Sequence, residues 1–511
     1  MFNWNKKILG IEINFNLIIL LILVLSSTLN FYNISNIGLG RWDAGNYLDA
    51  GEYIKEGSIK HLGVGLKPLH NFLIFLGFSI FGVSEAVGAG VSAFFGILSV
   101  YLVYLIGRRL FNEKTALVAA LILAVSEAFL YNVRSALPDG NLTFFILLTT
   151  LFYIYSIIDK KIHYSILTGL FLWISYLTKN SAGVYLGVIF FTEIFLVWTK
   201  QEKFKKSVER FSIIAGVSLF LITLTTIGYF VLAPSDNNIA EDKTTGKLLS
   251  IAKDFGEGIN FEFYPIFLWD FTSFITVILL VLGLIAAFIN RKRKDLFLLS
   301  WFGFYFLFFT LYPDNQFKVF IPAIPAVALL ASYGLNKFKT KIIFSALLVL
   351  LVGISLFNAA DTLKLSNFAY RDASEFVLND NGVGVITSRN GIFNYYLKRM
   401  PLEPTYFLNT TKYDLESLHT QGYTHLMFDW RAERMDREFV NEIFEKSKPS
   451  YEVYNGLLNN DPELLQYLKQ YPYMKNPDEK ARWVEKVTVD DPRNQYIYVF
   501  RIEEVLEDLK K

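Results

Sequence analysis

The 511-residue chain contains no cysteine. Disulfide frameworks, thiolate nucleophiles and cysteine-ligated metals are therefore excluded. Charge is also scarce: 19% of the residues are Asp, Glu, Lys or Arg, against 53% hydrophobic. A soluble globular chain carries about a quarter of its residues charged. The net charge of +2 says little about partners, and no nucleic-acid partner is expected. A Gly-rich phosphate-cradling loop of the P-loop or dinucleotide form is missing too, which argues against a nucleotide-driven pump.

What is present is apolar sequence in long runs, with 48 Phe and 29 Tyr in the chain. The runs fill residues 1–358, and mixed sequence follows over 359–511. This predicts a polytopic α-helical membrane protein of about 11 transmembrane helices, followed by a soluble α/β domain. The first run, near 13–32, lacks a small-residue cleavage site and reads as a retained helix. Basic clusters at 6–7, 108–114, 160–161, 200–210, 291–294 and 337–341 all fall on one side of the alternating spans. The positive-inside rule makes that side cytoplasmic. Asp43, Asp139, Lys179, the loop 233–263 and Lys318 then fall outside, as does the C-terminal domain.

Finer features follow from local pattern. Tyr47, Ala50 and Ile54 have helical spacing and predict an amphipathic helix at the interface. The apolar stretch 70–83 reads as a re-entrant or interfacial helix. Pro322 and Pro325 predict an irregular turn beside a polar cavity. In the tail, Tyr370–Leu378 and Asn394–Leu397 read as helical; Gly382–Thr387, His425–Phe428 and Tyr496–Arg501 read as strands.

The residues with chemical potential gather on the outer side. Asp43 follows the first span; it is either a helix cap or a catalytic or metal-binding carboxylate. Arg41 either neutralises it or binds a phosphate. Asp139 stands at the neck of two spans, as a helix cap behind Pro138 or as half of a carboxylate pair with Asp43. Such a pair deprotonates an acceptor or holds a divalent cation, the only cofactor considered. Arg134 has two candidate partners, Asp139 and a lipid phosphate. Lys67 and His70 straddle an entry into apolar sequence, where histidine is either simply hydrogen-bonded or a phosphate donor and acid–base group. Lys179 and Lys318 either snorkel to headgroups or bind a lipid-linked phosphate.

These elements, in this order, resemble the multi-spanning GT-C glycosyltransferases that use polyprenyl-phosphate sugars. The likeness is strongest to the protein O-mannosyltransferase and lipid A aminoarabinose transferase group. The family's outer-loop acid with Tyr four positions on is similar to Asp43-Ala44-Gly45-Asn46-Tyr47. Its Lys/His-Pro-Pro-Leu element resembles Lys67-Pro68-Leu69-His70, one proline shorter. Arg134 through Asp139, Gly169-Leu170 through Lys179, and Lys318 through Pro325 resemble three further elements. Ala44 stands where many members carry a second acid, and Lys318 where they carry Arg. The tryptophan-tryptophan-aspartate signature of oligosaccharyltransferases is absent, which makes that relative the more remote one.

The resemblance implies inverting sugar transfer from a polyprenyl-phosphate donor to a protein, lipid or glycan acceptor among membrane lipids. It implies Asp43 as general base. Arg134, Lys179 and Lys318, with Lys67 or His70, would bind the departing phosphate and stabilise its developing charge. Asp139 would orient the acceptor or hold a cation, and Arg41 and Tyr47 would contact acceptor or sugar. Two other readings compete. A transporter or flippase of lipid-linked sugars predicts inverted repeats or charges inside spans; no repeat is evident, and the charges sit at span ends. A non-catalytic envelope binding protein predicts that the outer carboxylates are dispensable.

Overall fold

A computed structural model of the chain describes residues 5–8, 11–39, 42–232, 261, 263–312, 317–364, 369–387, 391–398, 400–406, 412–428, 437–454 and 496–511. Arg41, and the loop expected at 233–263 apart from residues 261 and 263, lie outside the described residues. The chain divides into two compact units. The first comprises Met1–Tyr32, Tyr53–Gly82 and Val87–Leu363; the second comprises Asn33–Glu52, Val83–Ala86 and Lys364–Lys511.

The chain begins with a short antiparallel hairpin, β1 (Asn5–Ile8) and β2 (Ile11–Asn14), which the sequence reading did not anticipate. Helices α1 (Phe15–Phe31), α2 (Trp42–Lys55), α3 (Pro68–Phe81), α4 (Glu85–Leu110), α5 (Glu113–Ala124), α6 (Glu127–Val133) and α7 (Asp139–Asp159) follow. Next come α8 (Ile162–Thr178), α9 (Val184–Trp198), α10 (Phe204–Leu232), α11 (Phe263–Phe271), α12 (Phe274–Asn290) and α13 (Arg293–Leu311). The first unit ends with α14 (Phe317–Phe320), α15 (Ile324–Leu335) and α16 (Lys341–Lys364).

Helix starts follow capping chemistry. Asn112 accepts from the Thr115 N–H at 3.0 Å and opens α5. Ser273 does the same for Thr276 at 3.3 Å and opens α12. Pro68 occupies the first position of α3, where its missing N–H costs nothing.

Among the described residues, eight helices are long and apolar enough to cross a membrane. Helices α5 and α6, bent by 58°, add a ninth if the pair is one span. The chain is thus a multi-pass membrane protein, but the expected count of about eleven exceeds this set. Helices α8 and α12, at 17 residues each, are the shorter apolar elements that account for the excess. The continuous spans expected at 115–131 and 265–289 each break, at Val125-Ser126 and at Thr272-Ser273. Pro322 lies in a 3-10 turn (Ile321–Ala323), as the irregular geometry expected there requires.

A large apolar core runs through the first unit, and its largest buried side chains are aromatic. Trp301 meets Tyr185 edge-on at 5.8 Å between ring centroids. Helices α12 and α15 approach until backbone meets backbone. A Cβ added at Gly283 would collide with the Leu330 carbonyl, and one at Gly334 with the Leu279 carbonyl.

The second unit holds a five-stranded sheet in the order β4-β3-β5-β7-β6. Its strands are β3 (Val385–Thr387), β4 (Thr405–Tyr406), β5 (His425–Phe428), β6 (Tyr451–Tyr454) and β7 (Tyr496–Arg501). Strands β3, β4 and β5 run parallel, while β7 is antiparallel to β5 and β6. All four residues of β5 are buried, as in a covered central strand. Helices α17 to α21 of this unit are Ala369–Asn379, Gly391–Leu397, Lys412–Thr420, Arg437–Lys446 and Ile502–Asp508, and Leu426, Phe428 and Phe500 pack with the last three. Strands expected at His425–Phe428 and Tyr496–Arg501 form at those bounds, whereas the one expected from Gly382 begins at Val385. The short helix expected from Asn394 begins earlier, at Gly391.

Candidate active site

In the first unit the candidate site is built on the N-terminal end of α7. Asp139 is the first residue of that helix, where a carboxylate is favoured by the exposed amide ends. It is fully buried, and its Oδ1 accepts from the Lys179 ammonium at 2.7 Å. Its Oδ2 is buried and makes no hydrogen bond among the described residues. Lys179 reaches it because the chain turns extended between α8 and the 3-10 turn Asn180–Gly183. The turn leading into α7 is pinned by Ser92, whose hydroxyl donates to the Leu137 carbonyl at 2.6 Å.

His70 belongs to the same neighbourhood. It is fully buried on the first turn of α3, and its Nδ1 lies 3.1 Å from the Asn141 side-chain nitrogen. Helix α3 is too short to count among the candidate spans. Burial, reinforced by Lys67, pushes the imidazole pKa down to about 3, with Asp139 opposing and Lys179 adding to the depression. The ring is therefore neutral at physiological pH and acts as a hydrogen-bonding group rather than a cation. Lys67 sits at the non-helical junction before α3. That junction is shaped by Asn71, which donates to the carbonyls of Leu62 and Val64 at 2.9 Å each. Three further residues singled out from sequence, Lys67, Asp139 and Lys179, thus fall within electrostatic reach of His70.

Arg134 is placed differently. It is buried, and its guanidinium donates to the carbonyls of Leu29, Asn30 and, at 2.7 Å, Tyr32. Those are the unsatisfied carbonyls at the end of α1, so Arg134 caps that helix at its negative end. Of the two partners considered for it, Asp139 is taken by Lys179 instead. Lys318 is half-buried in α14, directly before the proline turn.

Asp43 and Tyr47 belong to the second unit, on α2. Asp43 lies in the first turn and is partly exposed; Tyr47 is buried with Ala44 and Leu48. Farther along the same helix, Asp49 and Glu52 both hold Lys398, at 2.7 and 2.6 Å. Burial, the largest influence, and the neighbouring Glu52 raise the Asp49 pKa to about 6 against the attraction of Lys398. Sequence reasoning missed Lys398. It lies 346 positions from Glu52, and only its own neighbours Tyr395 and Tyr396 marked the stretch.

Among the described residues, no group of three or more His, Asp or Glu side chains could hold a metal ion. Asp139, considered earlier for a cation, has an ammonium on one oxygen instead.

The fold has counterparts. A family model for dolichyl-phosphate-mannose-protein mannosyltransferase matches residues 66–228, from the Lys67 junction into α10. ArnT from Cupriavidus metallidurans, solved with undecaprenyl phosphate bound, aligns with a TM-score of 0.61 at 14% identity, over 86% of this chain and 95% of that one. The oligosaccharyltransferase AglB of Archaeoglobus fulgidus, in complex with an inhibitory peptide and a dolichol-phosphate, aligns with a TM-score of 0.54 at 12% identity, over 82% and 70%. An uncharacterised protein of Aquifex aeolicus strain VF5 is 28% identical over 341 residues. That match spans 63% of this chain and 64% of the relative.

The architecture is that of a GT-C-like polytopic membrane protein. Its fold is similar to those of ArnT and AglB, and residues 66–228 match the protein-mannosyltransferase model. The oligosaccharyltransferase fold is shared although its tryptophan-tryptophan-aspartate signature is not.

Proposed function

We propose that this chain is a membrane glycosyltransferase that moves a sugar from a polyprenyl-phosphate donor to a protein, lipid or glycan acceptor on the extracytoplasmic face. The observation that carries the reading is the gathering of Lys67, His70 and Lys179 around Asp139 at one end of α7. Two lysines in a partly buried, largely apolar setting suit a phosphate that must gain charge as its sugar leaves. The shared fold of two enzymes solved with polyprenyl phosphates supports the same donor.

In this reading Asp43 takes the proton from the acceptor hydroxyl or amine, and the freed oxygen or nitrogen attacks the anomeric carbon. The bond from that carbon to the phosphate oxygen breaks, and configuration inverts. Lys179 and Lys67, with Lys318, receive the polyprenyl phosphate. An anionic phosphate so paired leaves without a separate proton donor. Asp139 is a positioning residue: its carboxylate holds Lys179 in place. Neutral His70 donates a hydrogen bond rather than charge. Arg134 serves the site by fixing the end of α1. Arg41 and Tyr47 flank Asp43 in sequence and are assigned to acceptor or sugar, Tyr47 acting from within its unit by seating α2.

The proposed topology has eleven spans, reached by counting the bent α5–α6 pair once and adding α8 and α12. Seventeen residues of helix extend about 25 Å, short but sufficient for a bilayer core. The basic clusters put the N-terminus in the cytoplasm, and an odd number of spans puts residues 359–511 outside.

The test is transfer in vitro from a radiolabelled polyprenyl-phosphate sugar. Wild type should release polyprenyl phosphate and labelled product together. Asp43→Asn should lose roughly 10²–10⁴-fold in turnover while still binding donor. Undiminished transfer by that variant would remove Asp43 as the base.

A further inference from the structure

We propose that a cavity at the opposite end of α7 binds the phosphate headgroup of an anionic membrane lipid. The cavity measures about 350 Å³ and lies where the ends of α4 and α7 meet the start of α13. Arg109, Lys292, Arg293 and Lys294 line it, and no carboxylate does. Three acids stand behind these cations. Asp159 pairs with Arg109, Glu202 lies 3.9 Å from Arg293, and Asp295 accepts from the Lys292 backbone at 3.0 Å. Glu202 is also shared with Lys160 at 3.6 Å and Arg210 at 3.7 Å, so the lining keeps an excess of positive charge.

The cations are held in position. Arg293 donates to the carbonyls of Ile157 and Gln201. Lys294 stands 4.0 Å above the Phe111 ring and 4.8 Å from that of Tyr333. The amide end of the 19-residue helix α13 opens at the same place and favours an anion further. The remaining wall is apolar, with Ile154, Ile157 and Phe297. A free phosphate matches the cations alone. A headgroup joined to acyl chains matches both the cations and the apolar wall, which selects the lipid.

This site is distinct from the candidate active site. Asp139 and Ile157 lie on one continuous helix. The 18 helical steps from one to the other span about 27 Å, close to the thickness of a bilayer core. The headgroup would therefore come from the other leaflet, beside the basic cluster 291–294.

The experiment uses the full chain, purified in detergent and stripped of lipid, with thermal unfolding as readout. Phosphatidylglycerol should raise the melting temperature in a saturable way. Phosphatidylcholine and inorganic phosphate at matched concentrations should not. Lys292→Gln with Lys294→Gln should weaken the phosphatidylglycerol response roughly thirtyfold in concentration. Lys339→Gln with Lys341→Gln, exposed lysines outside the cavity, should leave it unchanged. If the first pair does not fold, Lys292→Gln alone, at an exposed side chain, replaces it with an expected loss of about fivefold. An undiminished response in the cavity variants, or an equal response to phosphatidylcholine, overturns the proposal. A full response to inorganic phosphate alone makes this a soluble-phosphate site and overturns the lipid assignment.

Discussion

Lys179 and Lys398 are both held by carboxylates at hydrogen-bonding distance, yet they are different devices. Lys179 is held by Asp139, which is completely buried. Lys398 has two, Asp49 and Glu52, and all three side chains keep some contact with solvent. The first pair matches one ammonium to one carboxylate. The second is over-supplied with acid, so one carboxylate retains a proton to a higher pH. One arrangement aims a lysine from a buried carboxylate; the other gives a contact that responds to pH.

The largest effect that separates the two comes from removing an acid. Asp139→Leu leaves the Lys179 ammonium largely buried without its counter-charge, and stability should fall by about 3–5 kcal/mol. Adding Lys179→Met should restore most of that stability but not sugar transfer. Thermal unfolding beside the transfer assay separates the two outcomes, and recovered transfer in the double variant would deny Lys179 its proposed role.

A smaller loss is expected in the second unit. Lys398→Met should cost about 2 kcal/mol, because Asp49 and Glu52 then face each other and one of them takes up a proton. The same unfolding measurement checks it. A loss as large as that of Asp139→Leu would erase the distinction between the two clusters.

The smallest effect is a pH dependence. The folded-state pKa of Asp49 is raised to about 6 from the ordinary carboxylate value of 3.8. A raised pKa means that the folded chain binds the proton more tightly. The contribution is present in full below about pH 4 and is lost as pH rises through about 6. Asp49→Asn should flatten the melting temperature between those limits. An unchanged slope would show that another group titrates there.

Much of the candidate site was legible because each of its residues ends an apolar run. Lys67, Asp139 and Lys179 stand at such ends, and the alternation of basic clusters put those ends on one side. The partner of Asp139 was not legible. Arg134, five residues upstream, was the nearer choice in sequence, but it is drawn to the carbonyls of α1, 102 to 105 positions away. Pairings of that kind depend on which helices pack together, and hydropathy does not encode neighbours. The span count suffered from a related ambiguity. Helices α8 and α12 sit at the shortest useful length, and the 58° bend between α5 and α6 interrupts a run that reads as continuous. Strand β7 was legible as a β-branched and aromatic run, and β5 as the short apolar run Leu426-Met427-Phe428 against polar surroundings.

The contact between α12 and α15 has a bearing on traffic through the protein. Where Gly283 meets Leu330 and Gly334 meets Leu279, the two main chains touch with no side chain between them. An acyl or isoprenoid tail is several ångströms thick and has no slot to occupy there. That seam is a closed door to the bilayer, so a substrate carried on a lipid tail has to slide in sideways between some other pair of helices.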